Sequence, residues 1–251
     1  PASIEAWILN LKTGKTYEVK TDELEGIFDK PKYLKDYVEK DAEFNPLYES
    51  PRNVRMGSPI ISETNKAVID ISSYDNKDRW IMALDLASGN LKQIDRQHDD
   101  AWIGGPEIGR GGLGWIDGNN IWFKSEKTGY SHIYTANVNT GKIKALTKGN
   151  FEILDTSLSK DKKTFYLTSN KVSPHEQHFY HLSTKGGKMT KITSLKGGHE
   201  VTVSPDEKQL AVRYSYTNKP WELYLLENRV GAKEKQITYS TTSEFKKYQR
   251  T

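Results

Sequence analysis

His199-Glu200-Val201-Thr202-Val203-Ser204, then Pro205-Asp206-Glu207-Lys208, then Gln209-Leu210-Ala211-Val212-Arg213-Tyr214-Ser215-Tyr216 reads as strand, turn, strand. In the second strand Leu210, Val212 and Tyr214 alternate with polar neighbours, the period of a half-buried sheet. Thr217-Asn218-Lys219-Pro220 supplies a second turn, because Asn favours turn geometry and Pro cannot serve a central ladder. A third strand is expected over 221–227 and, beyond Val230-Gly231-Ala232, a short outer one over 235–240. The same unit recurs upstream. Its strands are expected over 153–159, 164–170, 178–184 and 189–194; over 112–116, 120–125, 131–138 and 143–147; and over 57–62, 67–74, 79–86 and 91–97. Gly141, Gly187 and Gly231 mark equivalent turns at steps of 46 and 44 residues, the period of a four-stranded propeller blade. The pattern predicts an all-β chain, a β-propeller or part of one.

Two spacings are longer, and each has a visible cause. Gly14 to Gly89 spans 75 residues, and the surplus is a stretch over 21–55 rich in Lys, Asp, Glu and Pro. It holds short helix-like pieces, for example over 32–40, and no convincing strand alternation. Gly89 to Gly141 spans 52, the excess being Gly104-Gly105-Pro106-Glu107-Ile108-Gly109-Arg110-Gly111-Gly112. Insertions of this kind fall on propeller faces, where loops either carry recognition or simply decorate the surface. The start of the chain reads as the third and fourth strands of a blade whose first two are missing. The expected organisation is a partial blade over 1–20, an insertion over 21–55, blades over about 56–97, 98–149, 150–196 and 197–243, and a linker over 244–251. That is about four and a half blades, and it implies a piece of a longer protein with an open blade edge that invites self-association.

Composition narrows the function classes. Hydrophobic residues make up 35% and mean hydropathy is −0.75, yet 14 Tyr and 6 Trp supply bulk to pack between twisted sheets. The 37 basic and 33 acidic residues are interspersed, which argues against nucleic acid as a partner. No apolar run approaches a membrane span, and no signal peptide is visible. The absence of Cys excludes disulfides and thiolate metal sites while leaving the compartment open.

Trp122-Phe123-Lys124-Ser125-Glu126-Lys127-Thr128-Gly129-Tyr130-Ser131-His132-Ile133-Tyr134 and Leu146-Thr147-Lys148-Gly149-Asn150-Phe151-Glu152 together carry a family likeness. Gly114-Trp115-Ile116-Asp117, Ser204-Pro205-Asp206 and Pro220-Trp221-Glu222-Leu223-Tyr224-Leu225 add to it. The set resembles the N-terminal β-propeller of the prolyl oligopeptidase family, dipeptidyl peptidase IV branch, a group of serine peptidases with bacterial members. Glu244-Phe245-Lys246-Lys247-Tyr248 is similar to the link before that family's catalytic domain. The resemblance implies a partner, a C-terminal α/β-hydrolase domain of the same polypeptide. It also implies peptide substrates and a periplasmic or secreted location, and it implies no cofactor.

The chemistry of acyl transfer is not expected in this chain. A nucleophile elbow needs G-x-S-x-G between strand and helix, and Gly129-Tyr130-Ser131-His132-Ile133 lacks the second Gly and opens a strand. His175, His178 and His181 do not form a metal set, since three-residue spacing on a strand sends His178 and His181 to opposite faces. The family's paired glutamates for the substrate amine have no counterpart here, so exopeptidase specificity is not carried over. From position, the loop from an outer strand to the next inner one is the candidate for binding substrate or facing the hydrolase domain, with His98, Asp99, Trp102, Glu107 and Arg110 as its residues. A rigid inter-blade turn is the other reading of that loop. The alternative for the whole chain is a stand-alone periplasmic protein-binding propeller of the Tol-associated type.

Overall fold

The computed structural model describes residues 5–39, 42–109 and 111–248. The chain divides into two compact units, Pro1–Lys127 with Tyr134–Lys144, and Thr128–Ile133 with Ala145–Thr251.

The first unit opens with a two-stranded antiparallel sheet, β1 (Trp7–Leu9) and β2 (Thr16–Glu18). Most of the insertion follows, with a 3-10 helix over Lys32–Tyr37. A complete blade comes next: β3 (Val54–Met56), β4 (Ile60–Ile61), β5 (Ala67–Ser73), β6 (Asp78–Leu84) and β7 (Leu91–His98). β3 and β4 both pair with β5, so the inner strand expected over 57–62 is broken in two and begins inside the stretch assigned to the insertion. Pro59 lies in the break, where it has no N–H to give the ladder. The second blade is β8 (Leu113–Trp115), β9 (Asn120–Ser125), β10 (His132–Asn137) and β11 (Ile143–Ala145), in the order β11-β10-β9-β8.

The second unit carries two more blades. One is β12 (Ile153–Leu158), β13 (Thr164–Ser169), β14 (His178–Ser183) and β15 (Thr190–Lys191). The other is β16 (Gly198–Val203), β17 (Gln209–Tyr216), β18 (Lys219–Glu227) and β19 (Lys235–Gln236). Pro220, expected in a turn, lies in β18 beside a register shift at Tyr214 and Tyr216, where no ladder bond is asked of it. Among the described residues the fold is that of a partial β-propeller, with a half blade and four complete ones.

Local chemistry explains the repetition. Between the third and fourth strands, the amides of Gly14, Gly89 and Gly141 donate to the carbonyls of Asn10, Asp85 and Asn137. The Asn or Asp side chain then accepts from the amides two and three residues on, or two on at Asp85. These glycines have φ of 69°, 79° and 73°, the left-handed region that penalises any Cβ. Matching the turns makes β1 and β2 the third and fourth strands of their blade.

The third strand is pinned by another repeated bond. The amides of Ile133, Phe179 and Leu223 donate to the hydroxyls of Thr147, Thr193 and Thr238 at 3.0, 3.0 and 2.7 Å. The residue before each also meets that Thr: His132 and His178 through Nδ1 at 3.0 and 3.1 Å, while Glu222 accepts at 2.5 Å.

Within each unit a blade has a rear face toward the preceding strands and a forward face toward the next. In the first unit, Ala6 and Ile8 of the half blade pack on Ile69, Trp80, Met82 and Leu84. Val68 and Ile81 of the first blade share a cluster with Ile121, Phe123 and Tyr134. In the second unit Tyr166, Phe179 and Ile192 pack on Leu210, Val212, Tyr224 and Leu226. Burying each such side chain contributes about 1.5–3 kcal/mol. The sequence pattern aligns Trp80 with Ile133, Phe179 and Leu223, but Ile81 holds that place relative to the turn. Trp80 lies on the rear face instead.

Candidate functional site

Asp78 opens β6 and its carboxylate is completely buried. It takes Arg52 Nη2 at 2.5 Å, Arg96 Nε at 2.9 Å and His98 Nδ1 at 2.9 Å. Arg52 belongs to the insertion and also reaches Asp75 and the carbonyl of Gly26. Arg96 extends to Glu25 and Asp29 of the same insertion. Gly26 lies so close to Arg96 that a Cβ there would meet the guanidinium at 2.0 Å. Burial acts to lower the pKa of both arginines, but their carboxylate partners outweigh it and the pKa rises. Burial likewise works to raise the Asp75 carboxyl. The Ser73 hydroxyl, the Lys77 amide and Arg52 prevail and hold it below the usual carboxylate range.

The loop after β7 is built onto this ionic core. His98 Nε2 also contacts Asp100, whose other oxygen accepts from Lys32 of the 3-10 helix at 2.8 Å. Asp99 accepts from the amides of Ala101 and Trp102, a local turn. Lys77 donates to the carbonyls of Asp100 and Ala101 and lies over the Tyr33 ring at 5.6 Å. The insertion and the start of the loop after β7 therefore meet.

Beyond that junction the loop turns back over a cavity of about 510 Å³. Arg55, Arg79, Asn76, Asp78 and Glu107 supply its polar lining, with Ile103 and Ile108 as apolar wall. Glu107 sits at φ 57° and accepts from the buried Lys124 at 3.0 Å. Arg79 is held by Asp70 at 2.5 Å and donates to the carbonyl of Lys124 at 2.8 Å. Arg55 is exposed, lies over the Tyr74 ring at 5.4 Å and donates to the carbonyl of Ser73 and to Asn76. Guanidinium, carboxylate and amide groups thus ring an apolar wall.

Of the residues read from the sequence, Glu107 lines this cavity, and His98 and Asp99 anchor its loop. Trp102 is exposed and outside the lining, and Arg110 lies outside the described residues. Arg55, Asn76, Asp78 and Arg79 were not singled out. Ser131 is buried at the strand start with its amide on Glu152. His178 faces Ser169 and His181 faces Tyr166 across the ladder, and no group of three ligands that could hold a metal is present among the described residues.

The family described as the dipeptidyl peptidase IV N-terminal region matches residues 2–221. The chain belongs to this family. It is 30% identical over 150 residues to the dipeptidyl peptidase 4 of Trichophyton equinum and to that of Trichophyton rubrum. Those stretches cover 57% of this chain and 19% of each relative, so the match spans about a fifth of the relatives' length. A Bacteroides ovatus crystal structure described as a dipeptidyl aminopeptidase IV aligns with TM-score 0.62 and 15% identity, covering 92% of this chain and 31% of that one. That likeness supports the fold. Among the described residues no helix is long and apolar enough to cross a membrane.

Proposed function

We propose that this chain is the non-catalytic propeller portion of a dipeptidyl peptidase IV-like serine peptidase. In this reading it gates the access of peptides to a separate α/β-hydrolase domain of the same polypeptide, in the periplasm or outside the cell. The family match over residues 2–221 carries the reading. The cavity beneath the loop after β7 is the proposed contact point for peptide, with Arg55 and Glu107 as its charged groups.

The chain alone is expected to leave a chromogenic X-Pro dipeptide uncut and to take no fluorophosphonate label, for want of an activated Ser. The longer polypeptide should do both. In it, Arg55→Ala and Glu107→Gln should raise KM roughly tenfold while fluorophosphonate labelling persists, the pattern of lost substrate binding. An unchanged KM in both variants would remove the cavity from the account. A coding sequence that stops at Thr251 would overturn the peptidase reading and favour a binding propeller.

A further inference from the structure

Strands β5 and β6 run between two different hollows. The cavity under the loop after β7 takes Ser72, Asp78 and Arg79, from the end of β5 and the start of β6. A second cavity, of about 540 Å³, takes Ala67 and Leu84 from the opposite ends of the same strands. The 7 residues of β5 span roughly 20 Å, so the two sites are separate.

The floor of this second cavity is apolar: Leu84 and Val138 are buried, and Leu86 and Leu91 half-buried. Its rim holds two cations, Lys66 and Lys92, that converge on one residue. Lys66 Nζ donates to the side-chain carbonyls of Asn119 and Asn139, the latter at 3.0 Å. Lys92 Nζ donates to the backbone carbonyl of Asn139 at 3.2 Å. The side-chain amide of Asn139 closes the set by donating to the Asn119 oxygen at 3.0 Å. Both ammonium groups are thus held by neutral oxygens, and among the described residues neither has a carboxylate partner. Asp85 is the acid in the wall, but its oxygens are engaged by the Ala87 amide and the Ser88 hydroxyl of its own turn.

Two like charges fixed on one residue gain most from an anion that touches both. The apolar floor beneath them favours an anion with a hydrocarbon body. The lining also offers Asn65 and Asn90, exposed amides whose side chains have no hydrogen-bond partner among the described residues. Such amides suit the carbonyls and N–H groups of a peptide, which a fatty acid lacks.

We propose that this groove binds the C-terminal end of a short apolar peptide, its carboxylate on Lys66 and Lys92 and its side chains on Leu86, Leu91 and Val138. The site is distinct from the cavity under the loop after β7 and does not rest on the peptidase reading.

Titration calorimetry of the purified chain with acetyl-Leu-Leu tests it. Binding should saturate at millimolar concentration or below and weaken as salt is raised. Amidating the peptide's carboxylate should weaken it about tenfold, and so should Lys66→Ala and Lys92→Ala, each alone. Lys92 is exposed, so its variant should keep the circular dichroism of the native chain. Lys188→Ala, on another blade, should leave the affinity unchanged. Ligand-induced NMR shifts should fall on the backbone amides of Leu86, Leu91 and Val138. Octanoate should bind about tenfold more weakly than the peptide, for want of groups to meet the asparagines. No saturable binding, equal affinity for the amidated peptide, or binding that survives both lysine substitutions would overturn the proposal. Octanoate binding as tightly as acetyl-Leu-Leu would overturn the peptide as occupant and assign the groove to fatty carboxylates.

Discussion

The first complete blade and the blades after it hold their third strands by different means. In the later ones the residue ahead of Ile133, Phe179 or Leu223 is His132, His178 or Glu222, and each engages a Thr of its own closing strand segment. In the first blade the corresponding residue is Trp80, whose indole donates to the carbonyl of Glu25 in the insertion at 3.0 Å. Asp78 beside it collects Arg52, Arg96 and His98. Where a blade closes on itself, one neutral or singly charged hydrogen-bond set suffices. Where it must also hold a long polar segment, the periodic bond gives way to a buried ionic hub.

The sharpest way to break this comparison is Asp78→Ala. Removing one partner of a buried ion set leaves the others uncompensated, a loss of about 3–5 kcal/mol. Chemical unfolding should show that loss, and limited proteolysis should cut within residues 21–53 of the variant. A small shift with an uncut insertion would mean that apolar contacts, not Asp78, hold the segment.

Next in size is Thr193→Val, which strands the Phe179 amide and His178 Nδ1 in the interior at about 1–3 kcal/mol. Thr238→Val should lose less, because its partner Glu222 also accepts from Ser240 and the site is closer to water. Equal unfolding midpoints for the two variants would deny that the bonds are equivalent in kind and different in burial.

A smaller and graded effect is expected from pH. Burial holds His132, His178 and His199 below their ordinary pKa, with Gly149, Glu176 and Gln177 respectively opposing it. The unfolded chain therefore takes up protons first as pH falls through about 6.5, and stability is lost from there down to the folded pKa values. Melting temperature should be level above pH 7 and decline between about 6.5 and 5. His178→Gln should flatten that slope; an unchanged slope would take His178 out of the linkage.

The smallest effect belongs to Lys32→Ala. Its ion pair with Asp100 is exposed on both sides and should leave the melting temperature unmoved. A clear drop would show that the contact between the insertion and the loop after β7 matters more than the ionic hub.

Most of the strand order was legible because its causes are local. Alternation marks β17, and glycines with Asn or Asp partners mark the hairpins. What escaped depends on distant partners. Arg52 and Asp78 each look like solvated charge in the sequence and become a buried pair only when the insertion folds back. Arg79 reads as a strand-start cation, yet Asp70 and the Lys124 carbonyl fix it at the cavity wall. Trp80 stands one residue farther from its turn than Ile133, Phe179 and Leu223 do from theirs, so it packs in the cluster of the other face, and Ile81 takes the related place.

The bond between the third strand and its closing Thr has a genetic consequence. Donor and acceptor, as in His178 and Thr193, travel in one stretch of sequence shorter than a single repeat. A duplication or deletion of one whole repeat would therefore carry its own fastening and leave its neighbours' fastenings intact. The first blade has no such freedom. Its fastening is shared with the insertion and threaded past Gly26, so those two segments must be inherited together.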